Sequence, residues 1–538
     1  MYVQQLEPVA DSLGLSALIA TLPLLTVLVL LGAVRMKAHH AGLIGLAVAV
    51  LVAWIAYGMP LGQTASGAAQ GALFGLFPIL WIVVNALWVY RMTVRTRHFD
   101  ILRRSFGRLS DDPRIQALVV AFCFGALLEA LAGFGAPVAI SAVMLVALGF
   151  DPVKAAIVAL VANTAPVAFG AMGTPVVTLA QVTGLPLDTV ATVVGRQTPL
   201  LALVVPLLLV FLVDGRRGLR ETWVPALVCG FAFAAAQFAA SNYVSAQLAD
   251  IGAALAGAGA LMAVPSARKP AAEPVRVAVL TGVRSEDLDQ DDPRPEILRA
   301  YAPYALIVAI FSVAQIPPVK DLLAKATQTF DWPFLNVAAP DGEPVGGNLF
   351  SLPLVATGGT LVLLAGVGTA AVIGVHARVA VKEWLATVHE LRFAILTVTS
   401  VLALAYVMNL SGQAATIGHF VAAAGAGLAF LSPVLGWFGV AVSGSDTSAN
   451  ALFGALQVTA AQQSGLSPEL LAAANSSGGV LGKMISPQNL TIACAAVGLA
   501  GKEGDLLRKV LPWSLGLLLV MCLIVVGQST VVLGWMLP

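Results

Sequence analysis

Four ionisable side chains stand inside apolar stretches of this sequence: Glu129, Arg196, Asp446 and Lys483. At a helix centre in hydrocarbon each costs about 2.5–3.5 kcal/mol on insertion scales, so each requires a function or a partner. Two readings of Glu129 stand side by side: a carboxyl withdrawn from water favours its neutral form and can carry a proton, or the group is half of an ion pair that pins a hairpin. Asp446 is open to the same proton-carrying role, or it caps its own loop. Lys483 and Arg196 are suited to an anionic substrate, Arg in bidentate fashion. Their alternatives are neutralising the two carboxyls or snorkelling to an interface.

The backbone around these groups is as informative as the charges. Asp446 lies in the polar run Ser443-Gly444-Ser445-Asp446-Thr447-Ser448-Ala449-Asn450, set between apolar segments. Irregular backbone at membrane depth survives only where protein buries it or where it lines a wet cavity. Glu129 precedes Gly133-Phe134-Gly135-Ala136-Pro137. The glycines allow positive φ and close approach, and Pro137 suits a first helical turn whose free N–H groups favour an anion. Asn163-Thr164 and Asn475-Ser476-Ser477-Gly478-Gly479 are expected to break the spans that follow each hairpin. The candidate substrate site is therefore Gly133, Phe134, Gly135, Asn163, Thr164, Ser445, Asp446, Thr447, Ser448, Asn450, Asn475, Ser476, Lys483 and Arg196, with Glu129 and Asp446 as proton-coupling groups. No catalytic residue is expected.

Helices must position these residues. Of 538 residues 59% are hydrophobic and 11% charged, against about 25% charged in soluble domains. Apolar runs of span length recur and are continuous rather than alternating, which selects helices over a β-barrel. The fold class is all-α: a polytopic integral membrane protein with about 12 transmembrane helices and two re-entrant helical hairpins. Expected spans cover 13–34, 41–57, 71–90, 153–184, 190–213, 222–240, 248–264, 300–316, 353–375, 391–408, 468–500 and 510–536, with broken hairpins at 115–150 and 434–466. The first segment is read as a retained helix, since Glu7 and Asp11 replace a basic n-region. Net charge is +1, so no basic face points to nucleic acid. Four separated cysteines and six scattered histidines show no metal-ligand spacing, and no cofactor motif is present.

Three regions follow: 1–264, a polar linker 265–299, and 300–538. Lys and Arg place the loops after Arg35, Arg91 to Arg114, Arg216 to Arg220, Arg268 to Arg299 and Arg378 to Arg392 inside, and the acidic loop 317–352 outside, with both termini outside. The halves echo each other. Asn163-Thr164, Gly170, Met172 and Thr174-Pro175 match Asn475-Ser476, Gly482, Met484 and Ser486-Pro487 at a constant offset of 312 residues. The connector 91–114 carries seven Arg, whereas 409–433 carries no Lys or Arg. Reading 413–431 as a surface helix makes the two copies inverted, the arrangement that puts substrate near the midplane at discontinuous helices. A spanning 413–431 makes them parallel.

Phe122-Cys-Phe-Gly-Ala-Leu-Leu-Glu-Ala-Leu-Ala-Gly-Phe-Gly-Ala-Pro-Val-Ala-Ile140, Asn163-Thr-Ala-Pro-Val-Ala-Phe-Gly-Ala-Met-Gly173, Gly444-Ser-Asp-Thr-Ser448 and Gly482-Lys-Met-Ile-Ser-Pro-Gln488 together resemble the bacterial L-lactate permease family, over essentially the full chain. The resemblance implies proton-coupled uptake of L-lactate, glycolate and other small 2-hydroxy monocarboxylates across a bacterial inner membrane. It also implies kinship with ion transporters that carry paired re-entrant hairpins. A sodium-coupled carboxylate carrier of similar architecture is the alternative, because hydroxyls, amides and carbonyls at broken helices also suit a cation. The expected partners are a monocarboxylate, a proton and the bilayer; oligomeric state is left open.

Overall fold

The computed structural model describes residues 1–107, 110, 112–133, 135–264 and 292–538. Most of the expected linker, 265–291, and the candidate Phe134 lie outside the described residues. The protein is a polytopic all-α membrane protein. Its helices are α1 (Leu13–Gly32), α2 (Ala38–Ala56), α3 (Leu61–Arg95), α4 (His98–Gly107), α5 (Pro113–Ala132), α6 (Ala136–Ala147), α7 (Pro152–Ala162), α8 (Gly170–Thr183), α9 (Leu187–Tyr243) and α10 (Ala249–Ala263). Then follow α11 (Arg294–Ala314), α12 (Pro317–Ala324), α13 (Gly358–Val372), α14 (Ala377–Ser411), α15 (Gln413–Ser443), α16 (Asp446–Ser464), α17 (Pro468–Lys483), α18 (Pro487–Ala496) and α19 (Glu503–Gln528).

Among the described residues ten helices are long and apolar enough to cross a membrane, or eleven if the pair 152–162 and 167–183, bent by 63°, counts as one. The set departs from the expected twelve in both directions: the span read at 468–500 divides at residues 484–486, while α5 and α15, in regions read as a hairpin and a connector, are long enough to cross. The spans read at 190–213 and 222–240 are the two limbs of α9, 57 residues in all, whose backbone leaves the helical region at Asp214–Gly215 and at Thr222, where the expected boundary between them lies. The span read at 353–375 condenses to the 15 residues of α13. At 1.5 Å rise per residue, α6 with its 12 residues is too short for a core about 30 Å thick.

Local chemistry starts the broken elements. Asp151, Ser467 and Ser486 each accept the N–H three residues on, and each precedes a proline at the first helical position of α7, α17 and α18, the combination that satisfies and pre-organises a helix start. The hairpin turns are tight. Gly444, at φ 76°, ends α15, and Ser445 caps α16 by accepting from Ser448 N–H. The polar run read as one tip is thus a two-residue turn, and Asp446 to Asn450 form the first turn of a helix.

Burial separates inside from outside. Buried residues make up 94% of the spanning window of α5 but 33% of those of α1, α2 and α11, so α5 is central and the others face lipid. The two halves interleave: α14 packs on α2 and α3, and α17 on α9. The strand β1 (Tyr2–Val3) pairs in parallel with Val337–Ala338, and Gln328–Asp331 pairs with Leu349–Leu352, so the loop 317–352 is built from short ribbons. Arg residues of the segment 91–114 are paired: Arg91 and Arg95 with Glu383, Arg104 with Asp292, and Arg114 with Asp112, Asp214 and Glu221.

Candidate functional site

Lys483, the last residue of α17, donates from Nζ to Glu129 Oε1 at 2.6 Å and to the Gly133 carbonyl at 3.2 Å. Asn163 Nδ2 donates to the other Glu129 oxygen, Oε2, at 2.9 Å. The first hairpin, the first break and the end of α17 therefore meet on one carboxylate. Glycines permit it. A Cβ on Gly170 or Gly133 would lie 2.7 or 2.8 Å from Glu129 Oε1. Just beyond, Ala171, Met172 and Gly173 all adopt the left-handed region, at φ 44°, 59° and 72°, at a cost of about 1–2 kcal/mol for each non-glycine residue. That turn lays the backbone against the hairpin tip, 3.3 Å separating a Gly133 Cβ from the Ala171 nitrogen.

Asp446 anchors a second group. Its Oδ2 accepts from Ser476 Oγ at 2.7 Å and from Asn450 Nδ2 at 3.5 Å. Asn450 Nδ2 also reaches Ser476 Oγ and the Pro175 carbonyl, both at 3.1 Å, which ties α16 to α17 and α8. Asn475 Nδ2 donates to Asn450 Oδ1 at 2.9 Å. Ser445, not Asp446, caps α16. Asp446 Oδ1 is buried without a partner among the described residues.

Both tips rest on α18. A Cβ on Gly135 would strike Ile492 Cδ1 at 2.4 Å, and one on Gly444 would strike Gln488 Oε1 at 2.7 Å. Between these parts lies a crevice of about 150 Å³, lined by Val138, Leu160, Asn163, Thr164, Lys483, Met484 and Asn489 and too narrow to admit a water. Its wall combines one cation, two amides and a hydroxyl with three apolar side chains. The Thr164 hydroxyl bonds back to Val161 O at 2.7 Å. Ser448 is buried and Thr447 half-buried in the first turn of α16.

Two expectations are corrected here. Asn475 to Gly479 do not break their span: α17 is continuous from Pro468 to Lys483, and the break falls at residues 484–486. The glycines serve contact instead, since Cβ atoms on Gly436, Gly478 and Gly482 would lie 1.9, 2.1 and 2.2 Å from the carbonyl oxygens of Asn475, Pro433 and Trp437. Arg196 is held elsewhere, donating to Asn242 Oδ1 at 3.0 Å and to the Met536 carbonyl at 2.7 Å. Buried polar residues outside the expected set are Asp250, Gln237, Asn489 and Gln457, whose Nε2 donates to Asn475 Oδ1 at 3.4 Å. Asp250 carries the signal used for the other carboxyls, a charge in an apolar span, and stands near the start of the span read at 248–264.

A buried ion pair at broken helices inside a membrane domain is an arrangement suited to a transporter. The family model for the L-lactate permease matches residues 16–532. The chain is 42% identical over 567 aligned residues to an L-lactate permease of Bacillus subtilis, covering all of both chains. It is 39% identical to the glycolate permease GlcA of Escherichia coli, covering 97% of each chain, and 39% identical to an L-lactate permease of Salmonella typhimurium, covering all of both. This chain belongs to the L-lactate permease family and is a membrane transporter.

Proposed function

We propose that the protein takes up L-lactate and glycolate by proton symport across a bacterial inner membrane. The crevice at Lys483 is the observation that supports it. A small 2-hydroxy monocarboxylate needs one cation, amide or hydroxyl partners for its hydroxyl, and an apolar wall for its methyl group, and the crevice lining supplies all three. The relatives named as lactate and glycolate permeases share that substrate chemistry.

Coupling follows from charge. Lys483 can neutralise one anion at a time, and in this conformation that anion is Glu129. A lactate carboxylate arriving at Lys483 leaves Glu129 without its counter-charge at 1% exposure. An unpaired buried charge costs several kcal/mol, so Glu129 takes a proton as lactate binds. Gly133, Gly135, Asn163 and Ser476 with Asp446 then frame the substrate, and opening of the crevice admits it. In this reading the Arg-rich segments lie inside and both termini lie outside.

Radiolabelled lactate uptake into proteoliposomes, competed with glycolate and pyruvate and repeated with a protonophore, tests the reading. The expected result is uptake that glycolate competes and the protonophore abolishes. Uptake that survives the protonophore but disappears when sodium is replaced would establish the sodium-coupled alternative.

A further inference from the structure

Asp250 is the buried carboxyl that this mechanism leaves unused. It is 0% exposed in the first turn of α10. Its Oδ1 accepts from Gln237 Nε2 at 3.1 Å, and its Oδ2 is buried without a partner among the described residues. Gln237, also 0% exposed, is held in one orientation. Its amide oxygen accepts from Thr198 Oγ1 at 3.4 Å, and its Nε2 also donates to the Ala165 carbonyl at 3.3 Å. Ala165 belongs to the same broken segment, 163–166, whose Asn163 binds Glu129. One amide and one break therefore connect Asp250 to the Glu129–Lys483 pair.

The titratable groups facing Asp250 from the elements packed on α10 are few. Glu129 on α5 and Lys483 on α17 lie within electrostatic reach. The thiol of Cys123 on α5 and the backbone of Cys229 on α9 pack further along, near Gly257. Among the described residues the buried Asp, Glu, Lys and Arg of this region are Glu129, Asp250, Asp446 and Lys483. Three carboxyls share one ammonium. Glu129 holds the ammonium directly, Asp446 receives a hydroxyl and an amide, and Asp250 receives a single amide. A neutral acid with one unmet oxygen costs far less in this setting than a carboxylate with one.

We propose that Asp250 is a second proton-binding carboxyl of the transport cycle, protonated in this conformation and exchanging its proton with Glu129 across the broken segment 163–166. The step balances through water admitted as the crevice opens: the acid O–H bond of Asp250 breaks to that water, which passes a proton to the Glu129 carboxylate as lactate takes over Lys483, while the Gln237 and Asn163 amides hold the two carboxyls in place and carry no proton. Asp250 is then recharged from the aqueous side. The inference rests on the proton-symport reading.

Two assays on reconstituted protein separate them: lactate exchange with equal pH on both sides, and accumulation driven by an imposed pH gradient. D250N, a fixed mimic of the neutral acid, is expected to keep exchange while accumulation falls by about tenfold or more, the scale of a lost proton-transfer group. D250E is expected to restore accumulation with a displaced pH profile. Infrared spectra should show a protonated-carboxyl band in the wild type that is missing in D250N. If D250N does not assemble, D250E decides: an unmoved pH profile and an unmoved band overturn the proposal. D250N that accumulates lactate like the wild type also overturns it. A wild type that ignores the pH gradient defeats the symport reading itself, and this inference with it.

Discussion

The Lys483–Glu129 pair joins residues 354 positions apart in the chain and is buried on both sides, at 8% and 2% side-chain exposure. Removing one partner of such a pair leaves an uncompensated charge and costs about 3–5 kcal/mol, while removing both costs far less. K483M and E129Q are each expected to lower the thermal stability of the detergent-solubilised protein. The double variant should recover much of the loss, and a double-mutant cycle with no coupling energy would contradict the pair. E129Q should also lose pH-driven accumulation; full accumulation by that variant would remove Glu129 from the proton path. The neighbouring glycine gives an independent check. In G170A the new methyl group would meet Glu129 Oε1 at 2.7 Å and displace a carboxylate held by two donors. Uptake is expected to drop by about tenfold or more, as ångström-scale misplacement does in other sites, with expression unchanged.

At the scale of elements, α15 and α17 cross so closely that glycine positions face carbonyl oxygens directly. Small residues at helix contacts are how membrane helices approach. Asn163 to Pro166 interrupt their span, whereas Asn475 to Gly479 stay helical, with Gly478 and Gly482 packed against the Pro433 and Trp437 carbonyls. G478A and G482A should therefore destabilise by overpacking, about 1–3 kcal/mol each, read as a lower unfolding temperature. Alanine at Gly504, where a Cβ meets nothing within 4 Å, is the control and should change little.

For the whole molecule, one lactate anion moving with one proton carries no net charge. Accumulation should then gain about 1.4 kcal/mol per pH unit. It should ignore a potassium-diffusion potential that would supply about 2.3 kcal/mol per 100 mV to any moving elementary charge. Lactate-evoked currents in reconstituted vesicles would contradict one-to-one coupling. The halves interleave, with α14 seated on α2 and α3, so the scaffold is built from both ends of the chain.

Much of this was legible in the sequence, for a physical reason. Continuous apolar length dictates helices in hydrocarbon, and the spans read from 153 and 468 begin where Asp151-Pro152 and Ser467-Pro468 start α7 and α17, whereas the Ser486-Pro487 start of α18 lay unread behind the expected break at Asn475 to Gly479. These are local signals, and so were the charges at Glu129, Asp446 and Lys483. Partnership is not local. Only the tertiary structure decided that Lys483 holds Glu129 while Asp446 holds Ser476, that Arg196 is tied to Asn242 and Met536 instead of the crevice, and that Asp250 sits buried beside Gln237. A charge in an apolar run demands compensation, but which of several distant groups supplies it depends on how the helices pack.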